Sequence, residues 1–484
     1  MHDHVGKDEM NSSKAGSLAQ MEFAIESVKE KSDPIFEIDT ALEKQLVRKI
    51  DIRLIPVTAL VYLLCYLDRS NVGNAKILNL STGDSLQQTN NMTDYQFTIA
   101  LMVFLVAYSI FEIPSNLALK ALSPNRWISF LVVSFGAFCA GIGGTHNFAG
   151  VAALRFFLGA AEAGVFPGLI FYFSFWYKQE ERATRIAAFL ASATLAGAFG
   201  GVLAFGVGHM NGIGGLEAWR WLFIFEGVPA VIVGISLYFF LPSYPETSSW
   251  LTSEEKALST KRLRLLVRQD EDKVNWNDAK TALKTWTLYV HYIIYLGAGV
   301  SISSLALFSP TIVLGLGYSD LQAQLFTVPP YAVAYVFTIG FAIISDRYKQ
   351  RGLIAGVSCF TAGTAFAVSA ALPDSSYIIR YIMLIMACTG AFSGLPSLCA
   401  WVGDNVRSST AGSVSTALNI AFSGPGQIIG VWIYRAQDAP FYRLGHAVNA
   451  GFMFLSAILS FMLMFYYKRE NAKMTGTNER RWIP

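Results

Sequence analysis

Twelve apolar stretches, each long enough to cross a bilayer, alternate with polar breaks along the chain. They fall at about 53–75, 96–119, 126–145, 148–176, 184–208, 219–241, 286–314, 322–344, 352–372, 377–401, 410–434 and 444–467. A hydrocarbon core needs about 20 apolar residues per helix, and a helix satisfies its own backbone there. The pattern therefore predicts an all-α membrane protein with twelve transmembrane helices. The longest break, Pro242–Lys284, carries Glu254, Glu255, Lys261, Arg262, Arg264, Arg268, Asp270, Glu271 and Asp272, and it splits the spans six and six. The expected organisation is a tail over 1–50, a six-helix bundle over 51–241, a linker over 242–285, a second six-helix bundle over 286–468 and a tail over 469–484. The first tail is polar and lacks the apolar core of a cleavable signal; a short amphipathic helix is expected at Asp39–Ile50.

Composition agrees. The 484 residues are 53% hydrophobic and 15% charged, against about 25% charged for soluble domains. The net charge of +3 is scattered over short loops, which excludes a nucleic-acid partner. Of the 37 Lys and Arg, Lys76, Arg220, Arg380, Arg435 and Arg443 fall on one side of the membrane, Arg69 and Arg155 within spans, and the rest on the side of the tails. The positive-inside rule then puts both termini in the cytosol. That topology sets the sequons Asn79-Leu-Ser81 and Asn91-Met-Thr93 in the first outer loop, as candidate glycosylation sites. Cys65, Cys139, Cys359, Cys388 and Cys399 lie in apolar runs without a CxxC pair, so no disulfide framework or metal site is expected. Trp127, Trp176, Trp219, Trp286 and Tyr466 near span ends form an interfacial belt.

Charges inside spans are costly and point to function. Asp68 and Arg69 end the first span. Being adjacent, they point apart, so one can face a cavity while the other faces a helix. An arginine fork suits a carboxylate, which makes Arg69 a candidate anion site beside a protonatable Asp68; the alternative is a gate pair. Arg155 and Glu162 are seven apart on the fourth span, hence on one face and about 10 Å apart along the axis. Desolvation disfavours an anion at mid-membrane, so Glu162 is a candidate proton carrier or a hydrogen-bonded structural acid. Glu112 precedes Pro114 near the end of the second span and reads as a gate or packing residue. Glu226 reads as structural. His291 and Tyr292 on the seventh span are candidate substrate contacts, with a satisfied helix-end histidine as the alternative. Asn419 either orients a polar ligand or joins helices.

The motifs resemble a known family. The six-plus-six plan looks like the major facilitator superfamily. Ser345-Asp346-Arg347-Tyr-Lys-Gln-Arg351 resembles its loop signature between spans eight and nine, and Arg155-x3-Gly159 resembles its fourth-span motif. The matching signature between spans two and three is absent, a departure typical of the anion:cation symporter family. Within that family Tyr66–Ala75, Phe111–Asn116, Arg155–Gly168, Trp219–Pro229, Leu241–Thr252, Phe308–Ile312 and Tyr442–Gly445 are similar to fungal allantoate and nicotinate permeases. The resemblance implies proton-coupled uptake of a small organic anion, with Asp68 and Glu162 exchanging protons, Arg155 close to them, Arg69 and Asn419 meeting substrate, and Asp346 and Arg347 gating. It implies protons, an organic anion and the bilayer as partners, no cofactor, a monomer, and a plasma-membrane location. An exporter of an acidic metabolite is the first rival; the fifth span, Gly197–Gly206, lacks the antiporter proline. A non-transporting nutrient receptor is the second. No nucleophile–base set suggests an enzyme.

Overall fold

Lipid offers no partner to a backbone amide, so each apolar stretch closes its hydrogen bonds within itself. A computed structural model describes residues 40–267, 280, 283–406, 409–474 and 481–484, and among them no residue is in a strand. Helices long and apolar enough to cross a membrane lie within Ala41–Thr82, Asp94–Leu119, Pro124–Ile142, Phe148–Ser174, Thr184–Gly208, Ala218–Phe240, Trp286–Leu314, Asp320–Tyr348, Arg351–Ala371, Tyr377–Asp404 and Arg443–Lys473. The helix Ser409–Trp432 fills the remaining expected stretch. Together these are the twelve spans, named below by their order in the chain.

Several boundaries differ from the sequence reading. The first helix runs unbroken over Thr40–Ile77, so residues 40–50 extend the span instead of forming a separate amphipathic helix. The fourth stretch is two helices, Phe148–Glu162 and Val165–Ser174. The tenth is likewise divided, into Tyr377–Ser393 and Leu395–Asp404. Each break has a glycine followed within three residues by a proline, Gly164 to Pro167 and Gly394 to Pro396, and proline removes a helix hydrogen bond. The eighth breaks at Thr327, before Pro329 and Pro330. The linker contains a helix, Ser253–Val267. Of the tail expected over 1–50, residues 1–39 lie outside the described residues.

The packing repeats with a shift of six spans. The third span packs on the sixth and the ninth on the twelfth; the second packs on the fourth and the eighth on the tenth. Between the halves, the fifth packs on the eighth and the eleventh on the second. Capping follows the same repeat. Thr93 and Gln96 cap the second span reciprocally, and Ser319 and Gln322 cap the eighth, each pair satisfying two otherwise orphaned amides. The result is two six-helix bundles facing one another across a central cavity.

That cavity is walled by both halves. Tyr66 and Arg69 come from the first span, Phe104, Tyr108 and Glu112 from the second, Tyr295 and Ser303 from the seventh, and Ser423 and Gln427 from the eleventh. Contacts between the halves concentrate on the side away from the start of the first span. There the backbone and hydroxyl of Ser81 both donate to Asp320 Oδ2, at 2.8 and 2.7 Å. Gln324 Nε2 donates to the Asn74 carbonyl at 3.0 Å, and the Tyr95 and Trp432 rings lie 5.6 Å apart.

Candidate functional site

Asp68 and Arg69 lie within the helix Thr40–Ile77, more than two turns before its end, and a turn of 3.6 residues aims neighbours about 100° apart. The consequence is a crossed pairing with the fourth span. Arg69 Nε donates to Glu162 Oε2 at 2.8 Å, and Arg155 Nη1 lies 3.9 Å from Asp68 Oδ1. Arg69 lines the cavity with 18% of its side chain exposed, whereas the Glu162 side chain is at 0% and those of Asp68 and Arg155 at 2%. One charge of the adjacent pair therefore reaches the cavity and the other is enclosed.

The ring of Phe104, on the second span, stands between the two cations. Its centroid is 5.3 Å from the Arg69 guanidinium carbon and 4.4 Å from that of Arg155. Tyr108, one turn on, presents its ring 4.4 Å from Arg69. Aromatic faces attract cations most strongly away from water. The close approach that makes this possible comes from Gly159, midway between Arg155 and Glu162, where a Cβ would overlap the Phe104 carbonyl. Helical spacing thus puts two opposite charges on one face of the fourth span, and the glycine between them lets the second span press an aromatic ring against that face.

Glu226 of the sixth span joins the enclosed end. A carboxylate oxygen of Asp68, Sγ of Cys139 and a carboxylate oxygen of Glu226 all lie within 4.8 Å of one another. These are side chains able to ligate a metal, but the Arg155 guanidinium beside them opposes a second cation, and the Cys139 thiol is turned to the Phe223 carbonyl at 3.6 Å.

The other residues singled out in the sequence are spread more widely. Glu112 is on the cavity wall. His291 is buried, 3.3 Å from the Tyr467 hydroxyl and edge-on to Trp401 at 4.6 Å. Tyr292 packs with Leu288 and Val402 and stacks on Phe422 at 5.0 Å. The cavity meets the seventh span further along, at Tyr295, Gly299, Ile302 and Ser303. Asn419 is buried with neither side-chain atom hydrogen-bonded, and its neighbour Ile420 lines the cavity. Asp346 receives Thr184 Oγ1 of the fifth span at 3.0 Å and is paired with Arg351, which also reaches Asp404 at 2.9 Å. Arg347 is exposed. Asn79 is buried with Nδ2 donated to the Gly208 carbonyl, so a glycan on that nitrogen requires the contact to open, whereas Asn91 is exposed. The sequence reading missed Tyr62, Phe104, Tyr108, Ser303 and Ser423. A recurrence at 101, 104/105, 108/109 and 112 carries the signal on the second span.

Residues 58–431 match the model of the Major Facilitator Superfamily. The chain is 50% identical over 439 residues to the MFS transporter prlL of a fungal species (strain NRRL 50135), covering 90% of this chain and 89% of that one. It is 28% identical over 440 residues to the high-affinity nicotinic acid transporter of Saccharomyces cerevisiae, covering 91% and 80%. Among solved structures, a bacterial homolog of the human lysosomal transporter Spinster, inward-facing and unoccupied, superposes with a TM-score of 0.65 at 16% identity, over 86% of this chain and 97% of that one. The chain belongs to the major facilitator superfamily, and it is a multi-pass membrane transporter, not an enzyme.

Proposed function

We propose that this transporter carries a small organic anion into the cell together with protons, by alternating access. The observation that carries the reading is the Arg69–Glu162 pair: a guanidinium at the cavity wall held at 2.8 Å by a carboxyl with no exposure of its own. A substrate carboxylate entering the cavity competes with Glu162 for the same fork. Protonating Glu162 cancels its claim on Arg69, and a proton on that buried carboxyl removes a desolvated charge. Proton and anion thereby favour each other's binding. Release on the less acidic side reverses the exchange, and Glu162 recaptures Arg69. Each net positive charge moved inward gains about 2.3 kcal/mol per 100 mV of membrane potential, so more than one proton per monovalent anion lets uptake draw on that potential as well as on the pH gradient.

The relative named as a nicotinic acid transporter and the aromatic lining of Tyr62, Tyr66, Phe104, Tyr108, Phe166 and Tyr295 favour a planar monocarboxylate as the cargo. The reading places the protein in the plasma membrane with both termini cytosolic and the Ser81–Asp320 side outside.

The test is uptake of labelled nicotinate, with a panel of carboxylates as competitors, by cells carrying the protein. Accumulation that rises as the outside is acidified supports the reading; acid-driven depletion of the label makes the protein an exporter instead. Arg69→Lys keeps the charge and loses the planar fork, and is expected to raise KM by about tenfold, the equivalent of some 1.4 kcal/mol of lost hydrogen bonding. An unchanged KM removes Arg69 from the anion site.

A further inference from the structure

The mechanism above uses Glu162 and leaves a second carboxyl cluster without a task. Asp68 on the first span, Cys139 on the third and Glu226 on the sixth come together, with one ligating atom of each within 4.8 Å of the others. Asp68 is 2% exposed, Cys139 1% and Glu226 4%. Among the described residues no N–H or O–H donor reaches any of the four carboxyl oxygens.

The charges around the cluster are few. From the fourth span, Arg155 stands 3.9 Å from Asp68, and Glu162 is turned to Arg69. From the first, Arg69 is turned to Glu162. From the third, the facing group is the Cys139 thiol, donated to the Phe223 carbonyl. From the sixth, Arg220 sits at the far end of the span, bound to the Gly143 and Thr145 carbonyls and to Glu217. Among the described residues one guanidinium, that of Arg155, stands beside Asp68, and no cation is paired with Glu226. Like charges sharing a dry site do not both ionise, and one acid of such a pair keeps its proton. Two carboxyls without an N–H or O–H donor, with an oxygen of each within 4.8 Å of the other, have a proton as the one ligand that serves both: it forms an O–H on one and leaves the other the site's single negative charge.

We propose that Asp68 and Glu226 are a proton-sharing pair, and that this pair, with Arg155 beside it, is the second proton-carrying site of the transporter. The proposal rests on the proton-coupled reading and makes Glu226 part of it. Proton binding forms one O–H on the pair and leaves its single negative charge to Arg155. Proton release restores two anions in one dry site with a single cation, Arg155, beside Asp68. Glu162 and the pair are then two separate proton sites, one exposed to substrate through Arg69 and one closed behind it.

The experiment counts protons directly. The purified full-length protein in lipid nanodiscs is acidified stepwise across neutrality, and uptake is read with a pH-indicator dye. Glu226→Gln is expected to bind one proton fewer than the wild type, and Glu226→Asp to restore it; a purely structural role for Glu226 leaves the count unchanged and overturns the proposal. In proteoliposomes with a pH gradient of one unit, loss of one coupled proton lowers the accumulation ratio about tenfold. The proton count needs no substrate, so it can fail while wild-type uptake remains driven by a pH gradient, and it can hold where that uptake is not. If Glu226→Gln does not fold, infrared spectroscopy of Glu162→Gln decides: with that carboxyl removed, the stretch of a buried protonated carboxyl must still be present near neutrality and vanish on alkalinisation, and its absence overturns the pair.

Discussion

Arg155 keeps its charge with 2% of its side chain exposed, and the ion pair to Asp68 at 3.9 Å is its partner across the helices. Removing one member of such a pair strands the other in a medium that solvates it poorly. Arg155→Gln is expected to cost about 3–5 kcal/mol of stability, read as thermal or denaturant unfolding in detergent. Adding Asp68→Asn to the same chain removes the stranded carboxylate and is expected to return most of that loss. If the double variant is no more stable than the single one, the two residues are not energetically coupled. This residue scale is where the sequence was most legible. A lone acid or guanidinium in an apolar run is conspicuous, and Asp68, Arg69, Arg155 and Glu162 came together as two crossed pairs. Glu226 was equally conspicuous, but its partner is 158 positions away on another helix, and no local spacing relates residues on the first, third and sixth spans. Polar residues that face neighbouring helices, such as His291 against Tyr467, look in sequence like those that face the cavity.

Helix packing decides whether those charges meet. The second and fourth spans touch where Gly159 lies against the Phe104 backbone, and without a hydrophobic driving force between helices in lipid, such close packing is what holds them. Gly159→Val is expected to part the two spans, costing about 1–3 kcal/mol through overpacking and separating Phe104 from both guanidiniums. Gly206→Ala is the control on the fifth span, where an added Cβ meets nothing within 4 Å; it is expected to be neutral or to gain up to about 1 kcal/mol from helix propensity. Equal expression and melting of the two variants would contradict this account. At this scale the spans were legible because each is a long apolar run. Their faces were not. In a soluble helix a polar side marks solvent, but here lipid, neighbouring helix and cavity all accept apolar residues, so Leu101, Phe104, Tyr108 and Glu112 form a cavity face that only Glu112 betrays. The breaks after Glu162 and Ser393 were hidden for a related reason: hydropathy continues across them, and only the Gly and Pro residues mark the interruption.

The whole molecule is built from one packing scheme used twice, so the contact of the fifth span with the eighth has its counterpart in that of the eleventh with the second. In the proposed cycle a rocking motion about the two contacts opens one side as it closes the other. The closed side is fastened by Ser81 on Asp320, Gln324 on Asn74 and Tyr95 on Trp432. Across the opposite side, Thr184 meets Asp346 at 3.0 Å. If the fastening at Ser81 holds the closed state, weakening it must shift the population. Tyr95→Cys with Trp432→Cys places a cross-linkable pair where the rings now lie 5.6 Å apart. Adding Asp320→Asn withdraws the charge from two exposed hydrogen bonds, together worth about 1 kcal/mol. A shift of that size changes a two-state ratio by roughly fivefold, so the rate of cross-linking in native membranes is expected to fall several-fold. Substrate and an acidic medium, by favouring the state open on that side, are expected to lower it further. A rate that ignores both Asp320→Asn and substrate means that this side does not open as a unit, and the two-bundle rocking motion fails with it.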